Sequence, residues 1–125
     1  MSGLRTLLVL LLVVPMPGRA AEHPLVSAFA SCAGRFSAEL EHAWLMSDER
    51  ASEIEYRRRQ FIDLLNATVT ADRRSQALNI RIDAKVAHAG LLSQATFSKD
   101  VVQSRWAKRR AKSEIAYCTG FLLES

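Results

Sequence analysis

Only two cysteines, Cys32 and Cys118, occur in the 125 residues, and they form neither a Cys-x-x-Cys pair nor a Cys-x-x-Cys-His run. That spacing speaks against paired-thiol catalysis at a helix start and against covalent haem attachment. Long apolar runs are scarce as well. The longest, residues 7–14, falls far short of the roughly 20 residues that cross a bilayer. There is no glycine-rich phosphate loop, and no serine stands with a histidine and an acid in a nucleophile motif. Nor is there much excess charge. The formal +4 includes Arg5 and Arg19 of the opening segment, so residues 21–125 carry 15 basic (17 − 2) against 13 acidic side chains, or +2. A nucleic-acid partner is not expected, because such a surface masses basic residues on one face with aromatics among them.

What is present begins with a leader pattern. Arg5, the apolar run, Pro15 and Pro17, then small residues, make a secretory signal peptide. Cleavage after Ala20 places Gly18 and Ala20 at the small-residue positions and leaves one domain of 105 residues (125 − 20). That length suits one modest core. The expected location is the periplasm or outside the cell, with the mature chain soluble.

Apolar residues then recur at three- and four-residue spacing in four segments. The spacing predicts helices over 24–46, 48–65, 71–92 and 98–123 and no strands, with caps at Ser47 or Asp48 and at Ser98. The inward stripes read Leu25, Phe29, Cys32, Phe36, Leu40 and Ala43; then Ala51, Ile54, Phe61, Ile62 and Leu65; then Ala77, Ile80, Ala84, Ala87 and Leu91. Short links make neighbours antiparallel, so the expected architecture is all-α, an up-down-up-down four-helix bundle. Asn66-Ala67-Thr68 matches a glycosylation acceptor, a motif too short to carry weight.

In such a bundle the first and last helices run opposite ways, and facing residues share a constant sum of position numbers. One register pairs Cys32 with Cys118, Phe29 with Phe121, Ala43 with Ala107 and Trp44 with Trp106. In an exported chain an even cysteine count is most simply a disulfide, so a Cys32–Cys118 bond is expected. The competing lipidation reading of "FASC" is disfavoured, because polar residues and Pro24 part it from the apolar run and it strands Cys118.

Several polar residues fall on the apolar faces. Arg110 lies inside the arc of the last helix, level with Leu40, which suggests a partly buried ion pair with Glu39; the alternative is that its stem carries the charge out to water. Glu39 and His42 form one Glu-x-x-His pair, the element from which di-metal bundles build sites. A second such pair is missing, so only a mixed site of Glu39, His42 and His88 can be drawn, and neither metal nor cofactor is expected. Arg58 interrupts the second stripe as a boundary residue. Arg105, Lys108, Arg109 and Lys112 form a basic strip that reads as ordinary surface, so contact with a membrane surface is not expected.

The third helix is apolar on two sides. Leu78, Ile82, Val86 and Ala89 lie roughly opposite its core stripe, which means either that this helix is the most enclosed of the four or that a second copy or partner covers the stripe.

"CAGRFSAELEHAWL" (32–45), "AKVAHAGLLSQATF" (84–97) and "EIAYC" (114–118) resemble an uncharacterised group of small secreted bacterial proteins, a resemblance that covers nearly the whole mature chain. It implies export and a bacterial source and brings no activity. The expected function is therefore a non-enzymatic module that binds another protein or itself, with no small molecule identifiable. The alternative is a metal-binding or catalytic bundle using Glu39, His42 and Arg110.

Overall fold

The computed structural model describes residues 24–123, and the leader and its cleavage site lie outside the described residues. Four helices follow one another: α1 (Pro24–Leu45), α2 (Ala51–Thr68), α3 (Arg74–Phe97) and α4 (Val101–Leu123), with a 3₁₀ turn, Ala71–Arg73, before α3. No strand occurs among the described residues. The fold is all-α, and a Cys32–Cys118 disulfide ties α1 to α4.

The helix ends differ from expectation where local chemistry outweighs residue type. α3 runs a turn past Leu92, since "SQATF" holds neither glycine nor proline, and it stops when Ser98 turns extended (ψ 132°). Asp100, not Ser98, caps α4: its Oδ1 accepts the Val102 and Gln103 amides at 3.0 and 3.3 Å, while Ser98 Oγ accepts the Asp100 amide at 3.2 Å. Between α1 and α2, Asp48 serves the turn and not the helix, accepting the Arg50 amide at 2.9 Å. The end of α1 is a Schellman motif, with the Asp48 amide bonded to Ala43 O at 2.8 Å and the Ser47 amide to Trp44 O at 3.3 Å. Ser47 sits at φ 52°, a left-handed position usually given to glycine.

The packing is asymmetric. α1 packs most extensively on α3 and α2 and along a shorter line on α4; α3 also packs on α4. Among the described residues α2 packs on neither α3 nor α4, so the helices do not close the even ring of a square bundle. α1 is the enclosed helix, not α3. Small residues on several of its sides explain this: Ala30, Ala33, Gly34, Ser37, Ala38 and Ala43 are all buried, which lets neighbouring backbones come close. A β-carbon added at Gly34 would collide with the carbonyl oxygen of Arg81.

The main core gathers at the end holding the disulfide. Phe61 is fully enclosed, with ring centroids 5.6 Å from Phe36 and 6.4 Å from Phe29, and Phe29 meets Phe121 edge-on at 5.8 Å. Burying each such ring contributes about 1.5–3 kcal/mol. Leu25 and Ala87, expected inward, are exposed; on α3 it is His88 that turns in. A smaller cluster of Ala38, Leu92 and Ala111 lies further along.

An open groove as the candidate functional site

The disulfide is fully buried, with Cα atoms 5.6 Å apart and no free thiol among the described residues. Beside it Arg35 makes the partly buried ion pair of this face, 2.7 Å from Glu114. Its guanidinium lies 5.7 Å from the Tyr117 ring centroid and donates to Cys118 Sγ at 3.6 Å. Sequence reasoning passed over Arg35. The register that paired the cysteines sets it almost level with Glu114 and contained the signal.

The expected Glu39–Arg110 pair does not form. Arg110 is mostly exposed and reaches Glu114 one turn along its own helix at 2.7 Å, which is the snorkelling outcome. Glu39 instead meets His88 of α3, Oε1 to Nε2 at 2.7 Å. His88 is buried and its Nδ1 has no partner. In the neutral ring Nε2–H is the donor of this bond, because a carboxylate oxygen only accepts. His42 bonds to Thr96 Oγ1 at 3.1 Å. Of the three residues drawn for a mixed metal site, two are thus together. Among the described residues no group of three His, Cys, Asp or Glu is placed to hold a metal ion.

Arg58, the expected boundary residue, donates through Nε to Ser37 Oγ at 2.9 Å, and Ser37 Oγ donates to Ala33 O at 2.8 Å. Burial, and secondarily the charge of Arg58, lowers the pKa of Arg81. The stripe of Leu78, Ile82, Val86 and Ala89 is exposed along its length.

Because α2 and α4 do not pack together, a groove of about 970 Å³ remains between them, floored by Phe36, Glu39 and His42 of α1. Ile54 on the α2 wall, Leu92 at the end of α3, and Ala111, Ile115 and Ala116 on the α4 wall make most of it apolar. The α4 wall extends from Lys108 to Leu123, about 24 Å at 1.5 Å per residue. Charges edge it unevenly. On the α2 side Arg57 is paired with Glu53 at 3.3 Å and Arg50 with Asp48 at 2.8 Å. Hydrogen bonds from Arg50 hold the Asp48 carboxyl down at about 2, well below its ordinary 3.8. On the α4 side Lys108 and Lys112 have no acidic partner among the described residues.

Compared with known proteins, the chain matches no family model, no curated protein and no solved structure.

Proposed function

We propose that this is an exported, disulfide-stabilised binding protein without catalytic activity, an up-down helical bundle once its leader is removed, and that the groove between α2 and α4 receives an amphipathic helix of a protein partner. The observation that carries this reading is the groove itself. It is apolar over most of its surface, long enough for about four helical turns, and left open because two helices of the fold fail to meet. Helix-in-groove recognition needs such an apolar trough with small residues that admit a backbone. Ala111, Ala116 and Gly120 supply them on the α4 wall. The unpaired Lys108 and Lys112 favour a helix with acidic residues along one flank.

A synthetic helical peptide, leucine-faced and glutamate-flanked, tests this by fluorescence anisotropy. Binding should weaken with salt and fall at least tenfold in Ala116→Arg, which fills the groove from an exposed position. Equal binding by that variant, or none by the native chain, refutes the groove. In the same reading the α3 stripe is a separate surface for a second copy, and sedimentation should show a dimer that Ile82→Asp returns to monomer; a native monomer at all concentrations removes that part.

The rival reading, a metal or catalytic centre on Glu39, His42 and Arg110, draws on the contact of Glu39 with His88, but Arg110 is turned away to Glu114. Stoichiometric metal in the purified protein, lost in His42→Ala, would decide for the rival.

A further inference from the structure

The α1–α2 turn and the α3–α4 turn lie at one end of the molecule. His42 bonded to Thr96 and Ser104 Oγ donating to Ala95 O at 2.7 Å hold the ends of α1 and α3 beside the start of α4. Large apolar side chains project from this end without cover. Trp44 is 61% exposed and Val102 76%, and Leu45, Phe97, Val101 and Trp106 are at least half exposed. None of the six lines the groove. Basic residues are interleaved with them. On the first three turns of α4, Val102, Arg105, Trp106 and Arg109 fall on the face turned away from buried Ala107 and Ala111, with Val101 and Lys108 on its flanks. Lys99 stands in the turn just before. Lys99, Arg105, Lys108 and Arg109 make no ion pair among the described residues. The acids nearby are largely engaged, Asp48 by Arg50 and Asp100 by the amides that begin α4; Glu49 alone among them makes no such bond.

We propose that this end of the molecule docks on an anionic lipid surface, its tryptophans and aliphatic side chains entering the headgroup boundary and the four basic residues meeting lipid phosphates. Tryptophan beside lysine and arginine is the pairing such an interface accepts, because the indole carries both an apolar ring and a polar N–H, and long basic stems keep their charge in the headgroup layer. A protein groove would offer apolar cover but no plane of phosphates for cations distributed round a tip. No helix of the described residues is long and apolar enough to cross a membrane, so the contact is peripheral. The basic strip, which in sequence looks like ordinary surface, acquires this meaning only from the apolar end it surrounds.

Cosedimentation of the purified chain with phosphatidylglycerol-containing vesicles and with pure phosphatidylcholine vesicles tests this. Binding to the anionic vesicles should be at least about tenfold tighter and should weaken steeply as salt rises. Trp44→Ser with Trp106→Ser, and separately Arg105→Glu with Arg109→Glu, should each lower it by about tenfold or more, with unchanged far-ultraviolet circular dichroism. Should one pair misfold, the other still decides. Absence of binding, equal binding to both vesicle types, or binding untouched by the folded variants overturns the proposal. So does a dimer, seen by sedimentation, that the tryptophan variant dissolves while vesicle binding stays the same.

Discussion

At one end of the molecule Phe29, Phe36, Phe61 and Phe121 pack around a buried disulfide, while at the other Trp44, Phe97 and Trp106 stand in solvent. Both ends are built from the same α1 and α4, and the sequence offers aromatic residues to both. The difference lies in what stands between the helices. Near the disulfide, α2 brings Phe61 and Leu65 into the space beside α1 and completes a core. Towards the turns, the buried positions of α1 and α4 are the small Ala43 and Ala107, and the neighbouring Trp44 and Trp106 stand at least half exposed. Matching levels along two helices place aromatic residues side by side; whether they bury each other depends on a third helix arriving.

Removing the bond at the closed end should produce the largest effect. Cys32→Ala with Cys118→Ala frees a loop of 86 residues, for which the chain-entropy model gives a loss of about 4.5 kcal/mol. That is a large share of the about 5–15 kcal/mol that holds an ordinary domain folded. Denaturant unfolding of the oxidised native chain against the variant measures it. A loss under about 1 kcal/mol would mean that the aromatic cluster, and not the covalent link, holds this end.

The sequence carried the disulfide, the four helices and the pairing of Phe29 with Phe121, because antiparallel helices obey a simple arithmetic and one register brings both cysteines level. The same arithmetic reached Arg35 and Glu114 but was applied to Arg110, whose position inside a helical arc says nothing about where a long side chain ends. Pairing Glu39 with His88 was out of reach, since it depends on how α1 and α3 slide against each other, and that offset is set by Gly34 approaching the backbone of Arg81 and Lys85. The groove was illegible for a similar reason. A regular bundle closes α2 on α3 and α3 on α4, and only the row of small residues on α1 hints that α1 takes the centre and leaves α2 and α4 apart. The apolar second face of α3 was visible; of its two readings, enclosure is the one excluded by its exposure, and the small residues of α1 explain why α1 is the enclosed helix instead.

Two opposite substitutions sharpen the comparison, because the two regions use backbone freedom in reverse. Gly34 is needed where helices are tightest: its missing β-carbon leaves room for the Arg81 carbonyl, and backbone cannot swing aside as a side chain can. Gly34→Ala should therefore cost about 1–3 kcal/mol, the range for overfilling a packed site, and should shift the contact of Glu39 with His88. Ser47 is the reverse case, a residue with a β-carbon in a left-handed turn at the exposed end. Relieving that conformation is worth about 1–2 kcal/mol, and the added freedom of glycine in the unfolded chain takes back about 0.4–1 kcal/mol. Ser47→Gly should then be stabilising by about 0.8 kcal/mol, read as a small rise in denaturation midpoint with unchanged slope. A stability loss on Ser47→Gly would mean that the serine side chain contributes something to the turn beyond its backbone angles, and that the exposed end is less permissive than its open tryptophans suggest.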